Sequence, residues 1–130
     1  ERARRVAGVE MIPAVSAEEA DRWMARASAT LASLRPGGYD YAYPTKILAS
    51  LAQGTPVIYA GPGQAGRDVR EAGLGAACGL DADQVAEAMV AVASGTLNWV
   101  GEERVRAWVR EHRSVSASSR AAAAVVRSAL

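Results

Sequence analysis

The sequence contains very few of the residues from which metal centres, disulfides and histidine-based catalytic sites are built. Its 130 residues include one cysteine, Cys78, and one histidine, His112. A single cysteine excludes an intrachain disulfide and a cluster of thiol ligands, and no Cys or His spacing suggests zinc. We interpret Cys78 as a small buried hydrophobic residue and His112 as a surface residue or a favourable charge near a helix C-terminus. We therefore expect no metal site.

A strong net charge and a long apolar run are also absent. The net charge is +1, which argues against a dedicated nucleic-acid-binding protein. No apolar run approaches the roughly 18–20 residues of a membrane span, and no signal-peptide pattern follows the first residues. We expect a single cytoplasmic domain over residues 1–130, without nucleic-acid or membrane partners. Because the chain does not begin with Met, we expect either a piece of a longer protein or a product of tag removal.

Strand patterns alternate with helix patterns along the chain. The strands are predicted at 9–12, 28–34, 56–60 and 75–78, and the helices at 16–27, 44–53, 67–72, 81–93, 102–112 and 120–130. This order predicts an α/β protein with a parallel sheet of about four strands flanked by helices. A doubly wound nucleotide-binding domain usually has five or six strands, so we expect a partial Rossmann-like sheet that lacks the first units of the domain. An exposed sheet edge would then lead to a dimer, an exchanged element or a covering helix.

The segment 33–63 has the order strand, glycine turn, helix, strand and glycine loop. In open α/β sheets, ligands bind beyond the carboxyl ends of the strands, where the loop 37–43 and the start of the next helix should lie. Pro44 is suited to the first helical position, and Thr45 and Lys46 follow it. Free backbone N–H groups at such a terminus bind phosphate, and Lys46 adds the only ammonium side chain among 15 basic residues.

These features also have simpler interpretations. Gly37 and Gly38 either form a turn alone or let the backbone approach a ligand, and Pro44 either only begins a helix or begins a used anion site. The tyrosines at positions 39, 41 and 43 either stack on a base or sugar, or line a loop or a domain interface.

A resemblance favours the ligand-binding interpretation. The residues Pro44-Thr45-Lys46-Ile47-Leu48, followed by Leu51-Ala52-Gln53-Gly54-Thr55-Pro56-Val57-Ile58, resemble the PTK-x-x-E-x-x-A-x-G-x-P-V-I signature of retaining family-four glycosyltransferases of the GT-B fold, a bacterial-type enzyme group. The preceding strand, the later Gly-x-Gly loop and the Ala72–Gly75 turn fall in the same order. The similarity covers roughly residues 9–95, and the PTK…G-x-P-V-I core is its specific part.

The resemblance implies that the chain is the C-terminal, donor-binding domain of such an enzyme. It would bind a nucleotide-sugar without a metal or cofactor, pair with an N-terminal acceptor domain, and be inactive alone. The implied nucleotide-sugar and diphosphate site comprises Gly37, Gly38, Tyr39, Asp40, Tyr41, Pro44, Thr45, Lys46 and Ala49. No catalytic residue is assigned.

The sequence departs from the family pattern at two positions. The family often carries two glutamates eight positions apart, and these fall on Tyr41 and Ala49. The second glutamate normally receives the ribose hydroxyls, which an Ala side chain cannot do. Either Asp40 or a backbone group takes that role, or the nucleotide binds differently, or donor binding is weakened.

Two other functions remain open at this point. A sugar-nucleotide epimerase of the GT-B type would have the same architecture but needs carboxylates and histidine around the sugar. A non-enzymatic α/β module would use the anion site for binding only.

Overall fold

The computed structural model describes residues 6–37 and 41–129, which form three parallel strands and six helices. The strands are β1 (Thr30–Ser33), β2 (Val57–Ala60) and β3 (Gly75–Cys78), in that spatial order. The helices are α1 (Ala17–Arg26), α2 (Thr45–Ala52), α3 (Gln64–Glu71), α4 (Ala82–Ala93), α5 (Glu102–His112) and α6 (Val115–Ser128). The protein is therefore α/β with a helix-flanked parallel sheet, compatible with a Rossmann-like fold.

The central strand β2 pairs in parallel with both of its neighbours and is buried along its whole length. All four of its residues are buried, as the uninterrupted apolar sequence predicts for a strand covered on both faces. Thr30 of β1 and Gly75 of β3 both align with Val57. The crossover helices α2 and α3 link neighbouring strands in the same direction, so right-handed connections place both on one face.

The core has two parts, one on each face of the sheet. On one face, Tyr59 and Val57 pack with fully buried residues of α2, α3 and α5, which are Ile47, Leu51, Val69 and Val105. On the other face, Ile58 and Cys78 pack with Ala88 of α4. Burial, and after it the nearby Glu87, raises the pKa of the Cys78 thiol, which is consistent with its predicted role as a small buried hydrophobic residue.

A chain of side-chain hydrogen bonds holds α2 against β1. The Thr30 hydroxyl donates to Ser50 Oγ at 2.8 Å, and Ser50 donates to the Thr55 carbonyl at 3.1 Å. Thr55 donates in turn to the Met24 carbonyl of α1 at 2.6 Å. Because Ser50 and Thr55 are buried, each of these bonds satisfies a group that water does not reach.

Several predicted boundaries are confirmed by their caps. Ser16 Oγ accepts a hydrogen bond from the Glu19 N–H at 3.2 Å at the start of α1. Asp81 caps α4 by accepting from the Asp83 N–H at 2.8 Å. Gly54, one residue past the C-cap of α2, has a φ of +83°, as expected for a glycine that ends a helix.

The prediction of about four strands is wrong, because the described residues form three. Residues 9–12 are not a strand, and the side chains of Val9, Met11 and Ile12 are exposed. A strand is stabilised by the neighbour that accepts its backbone hydrogen bonds, and the described sheet contains only β1, β2 and β3. An apolar four-residue pattern carries no information about whether that neighbour exists.

Three helix starts also differ from the prediction. Pro44 occupies the N-cap of α2 and lies one residue before the helix. The helix α3 begins at Gln64 and not at 67, because Gly66 fits inside it against the Tyr59 ring and does not extend the preceding loop. The helix α6 begins at Val115 and not at 120, because Ser114 Oγ accepts from the Ala117 N–H at 3.1 Å.

Candidate functional site

A cleft opens where the carboxyl end of β1 meets the N-terminus of α2. It has a volume of about 330 Å³, and its lining consists of Leu31, Ala32, Ser33, Leu34, Ala42, Pro44, Thr45 and Lys46. The strand contributes the apolar wall, whereas Ser33, Thr45 and Lys46 contribute the polar side chains. This is the edge of a parallel sheet at which ligands of open α/β proteins bind.

The N-terminus of α2 presents donors to this cleft. Pro44 caps the helix without a side-chain hydrogen bond, and the Ile47 N–H donates to the Pro44 carbonyl at 3.0 Å. The N–H groups of Thr45 and Lys46 precede Ile47, the first donor to a helix carbonyl, so helix geometry leaves them free for a ligand. Both side chains are exposed, and the positive end of the helix dipole adds to the Lys46 charge.

The loop after β2 closes tightly against the same end of β1. A Cβ atom at Gly61 would lie 2.7 Å from the Leu34 carbonyl oxygen and 3.1 Å from the Leu34 nitrogen. Any larger residue would push this loop away from Leu34, which lines the cleft. The first glycine of the Gly61-x-Gly63 loop is therefore needed for close backbone packing beside the site.

The structure brings together only part of the predicted site. Pro44, Thr45 and Lys46 lie in the cleft, whereas Tyr41 is 85% exposed and does not line it. Ala49 lies farther along α2, partly buried and outside the lining. Gly37 is exposed, with a φ of +109°, and also lies outside the lining. Gly38, Tyr39 and Asp40 lie outside the described residues.

Sequence reasoning missed Ser33 and the last residues of β1 as part of the site. They belong to a strand, and the strand pattern alone gave no reason to separate its final residues from the others. A signal was available in the topology, because the carboxyl end of any strand that precedes a crossover helix lies next to the N-terminus of that helix.

A cluster of polar side chains that sequence reasoning did not predict packs against Tyr43, which lies between the cleft residues Ala42 and Pro44. Asp68 of α3 is 9% exposed and forms an ion pair with Arg113, the C-cap residue of α5. Gln64 Nε2 donates to Asp68 Oδ1 at 2.6 Å. The Arg113 guanidinium lies 4.7 Å from the centroid of the Tyr43 ring and 5.6 Å from that of Trp108, within the range of cation–π attraction. No motif joins residues so far apart in sequence.

Burial and hydrogen bonding act in opposite directions on the Asp68 carboxyl. Burial by itself raises the pKa of the Asp68 carboxyl, but hydrogen bonds from Arg113 and Gln64 outweigh it and lower that pKa below its ordinary value. Burial, and after it the Asp68 carboxylate, raises the pKa of the Tyr43 phenol. Within the described part of the chain, the Tyr43 hydroxyl has no hydrogen-bond partner of good geometry. Tyr43 thus packs inside the domain, while Tyr41 faces solvent.

The remaining chemistry-bearing side chains do not gather into a site. His112 is an exposed residue at the end of α5, with its ring centroid 5.3 Å from that of Trp108. Among the residues that the structure describes, no three His, Cys, Asp or Glu side chains come together to hold a metal ion. Within residues 6–37 and 41–129, no helix has the length and apolar character needed to cross a bilayer.

Comparisons with known proteins add no family. No protein-family model matches the chain, and neither the curated proteins nor the solved structures contain a significant match. The function must therefore be inferred from the cleft and from the sequence around it.

Proposed function

We propose that this chain is the donor-binding part of a retaining glycosyltransferase of the GT-B type, and that the cleft holds the diphosphate of a nucleotide-sugar. The observation that carries the proposal is the position of the PTK segment. Pro44, Thr45 and Lys46 lie where the N-terminus of α2 faces the carboxyl end of β1, and the rest of the motif forms α2 and β2. The motif resemblance and the location of the cleft thus support the same assignment.

The chemistry of the cleft suits a diphosphate. The free N–H groups of α2 and the Thr45 hydroxyl would donate to phosphate oxygens, and the Lys46 ammonium would neutralise their charge. These interactions strengthen as negative charge develops on the departing diphosphate, so they would favour the transition state of sugar transfer. No metal is needed for this role of the residues.

The position of Ala49 leaves the ribose contact to other groups. Its methyl side chain accepts no hydrogen bond, and it lies outside the cleft lining. We propose that Asp40 or a backbone carbonyl receives the ribose hydroxyls, and that the diphosphate supplies most of the affinity. Donor affinity should then depend more on the two phosphates than on the base.

The first experiment is a titration of the protein with UDP, GDP and inorganic phosphate, followed by amide chemical shifts. We expect saturable shifts at Thr45, Lys46 and Ile47, with either nucleotide binding more tightly than phosphate. Lys46→Ala should weaken nucleotide binding about tenfold, because a charged hydrogen bond to phosphate is lost. Arg127→Ala, on the exposed part of α6, is the matched control for removing one positive charge.

The outcomes separate the candidate functions. Nucleotide affinity that is unchanged in Lys46→Ala would refute the assignment of the cleft to the diphosphate. Equal affinities for phosphate and for both nucleotides would favour an anion-binding module without transferase chemistry. Shifts confined to other elements, such as α5, would place the ligand elsewhere.

A further inference from the structure

The segment that leads into α2 is anchored from outside the site, by the end of α5. Ala42 and Pro44 both line the cleft, and Tyr43 between them turns away from it into the core. The Tyr43 ring is covered by the Arg113 guanidinium at 4.7 Å. The backbone on both sides of Tyr43 is therefore positioned by what holds this ring.

Arg113 is itself held on two sides. It forms an ion pair with Asp68 of α3, and its guanidinium also lies over the Trp108 ring of α5. Gln64 fixes the Asp68 carboxylate from the first residue of α3. A buried carboxylate that is hydrogen-bonded from two sides has little freedom to move, so Arg113 is a fixed platform for Tyr43.

We propose that Arg113 is a positioning residue for the cleft, which couples the C-terminal end of α5 to the N-terminus of α2 through Tyr43. The effect on ligand binding rests on the proposed diphosphate site, whereas the effect on the geometry of α2 does not. The planar guanidinium is essential to this role, because it pairs with Asp68 and stacks on Tyr43 at the same time.

A second arginine of α5 provides a matched control. Arg106 forms an ion pair with Glu102, and its guanidinium donates to the Gln53 carbonyl at 2.7 Å. It therefore joins α5 to the C-terminal end of α2, the end away from the cleft. Replacing Arg113 should loosen the first turn of α2, and replacing Arg106 should loosen the last.

The test compares amide hydrogen exchange in the full chain for Arg113→Ala, Arg113→Lys and Arg106→Ala. We expect both Arg113 variants to speed exchange about tenfold at Ile47 and Leu48, with little change at Gln53 and Gly54. Arg106→Ala should give the reverse pattern. Arg113→Lys keeps the positive charge beside Asp68, so it remains informative if Arg113→Ala does not fold. Tyr43→Phe keeps the ring under the Arg113 guanidinium, so its exchange pattern in α2 should match that of the wild type.

A second experiment measures the affinities of the same variants for UDP, GDP and inorganic phosphate. We expect Arg113→Lys to weaken nucleotide binding several-fold, and Arg106→Ala to leave it within about twofold of the wild type. If the wild type binds none of the three ligands, the proposed function fails while the exchange pattern still decides the positioning role. Unchanged exchange at Ile47 and Leu48 in both Arg113 variants overturns the inference, as does equal loosening of the whole of α2.

Discussion

At the scale of single residues, Asp68 joins α3 to the C-terminal end of α5. Its carboxylate is almost fully buried on α3, yet it receives hydrogen bonds from Arg113 and from Gln64. A buried charge costs several kcal/mol of folding free energy unless it is paired. These two donors therefore offset the cost of burying the Asp68 carboxylate. Sequence reasoning placed Asp68 on a short helix and had no means of seeing its partner, 45 residues later.

The lowered pKa of the Asp68 carboxyl predicts how the stability of the protein changes at acidic pH. A carboxyl whose pKa is lowered by folding stabilises the protein above its unfolded pKa of about 4, and this contribution is lost as the pH falls through the folded value. Asp68→Asn should therefore cost about 2 kcal/mol of unfolding free energy at pH 7. The difference between the variant and the wild type should shrink steadily below about pH 4.

Urea denaturation at a series of pH values measures this difference. Asp83→Asn, at an exposed position in the first turn of α4, controls for removing one carboxylate and should change stability by less than about 0.5 kcal/mol. A gap between Asp68→Asn and the wild type that is equally large at pH 3 and pH 7 would contradict the ionic origin of the effect.

At the scale of elements, the close approach of β3 to β2 depends on Gly75. A Cβ atom at this position would lie 2.7 Å from the Val57 nitrogen and closer still to the Val57 carbonyl oxygen. The φ of Gly75 is +147°, in a region that other residues rarely adopt. Both facts concern backbone atoms, which cannot rotate out of the way as the end of a side chain can.

Gly75→Ala should accordingly lower the unfolding free energy by about 3 kcal/mol, because the strand must move away from β2 or the backbone must change conformation. Gly79→Ala is the matched control, since a Cβ atom there would first meet the Gln84 side chain at an ordinary 3.5 Å. Thermal denaturation of the two variants provides the comparison. Equal losses in both would show that glycine at 75 is not required by the approach of the strands.

At the scale of the whole molecule, the sheet formed by residues 6–37 and 41–129 ends at an open edge along β1. The Thr30 N–H donates to the Pro56 carbonyl, just before β2, and the Leu34 N–H donates to the Ala60 carbonyl of β2. In a parallel ladder, the N–H and C=O groups of Leu31 and Ser33 therefore face outward. Leu31 is 49% exposed on the face covered by α4, and β1 carries no charge or proline that would discourage pairing. An edge of this kind is a template for another strand.

We predict that the protein forms a concentration-dependent dimer through this edge. Leu31→Lys should shift it to a monomer in light scattering without lowering the melting temperature by more than a few degrees, because charged residues on edge strands oppose pairing. Val90→Lys, an exposed apolar position on α4, should leave the dimer intact. A monodisperse monomer of the wild type at all concentrations would contradict the prediction.

The local sequence alone determined much of the fold. Ser16 and Asp81 cap the predicted helices, Gly54 ends α2, and the apolar run at 57–60 became the buried central strand. These signals are local, because a cap or an apolar run depends on residues within a few positions of one another. The placement of Pro44, Thr45 and Lys46 at the carboxyl end of a strand was predictable for the same reason, since the strand–helix order is written along the chain.

The remaining features depend on contacts between segments that are distant in the sequence. The segment 9–12 has the apolar character of a strand but no neighbour in the described sheet, and pairing is a property of two segments. Tyr41 and Tyr43 look equivalent in sequence, yet one faces solvent and the other lies under Arg113, because that contact comes from a helix 70 residues away. Short-range patterns therefore located the cleft, and long-range packing decided which side chains hold it in place.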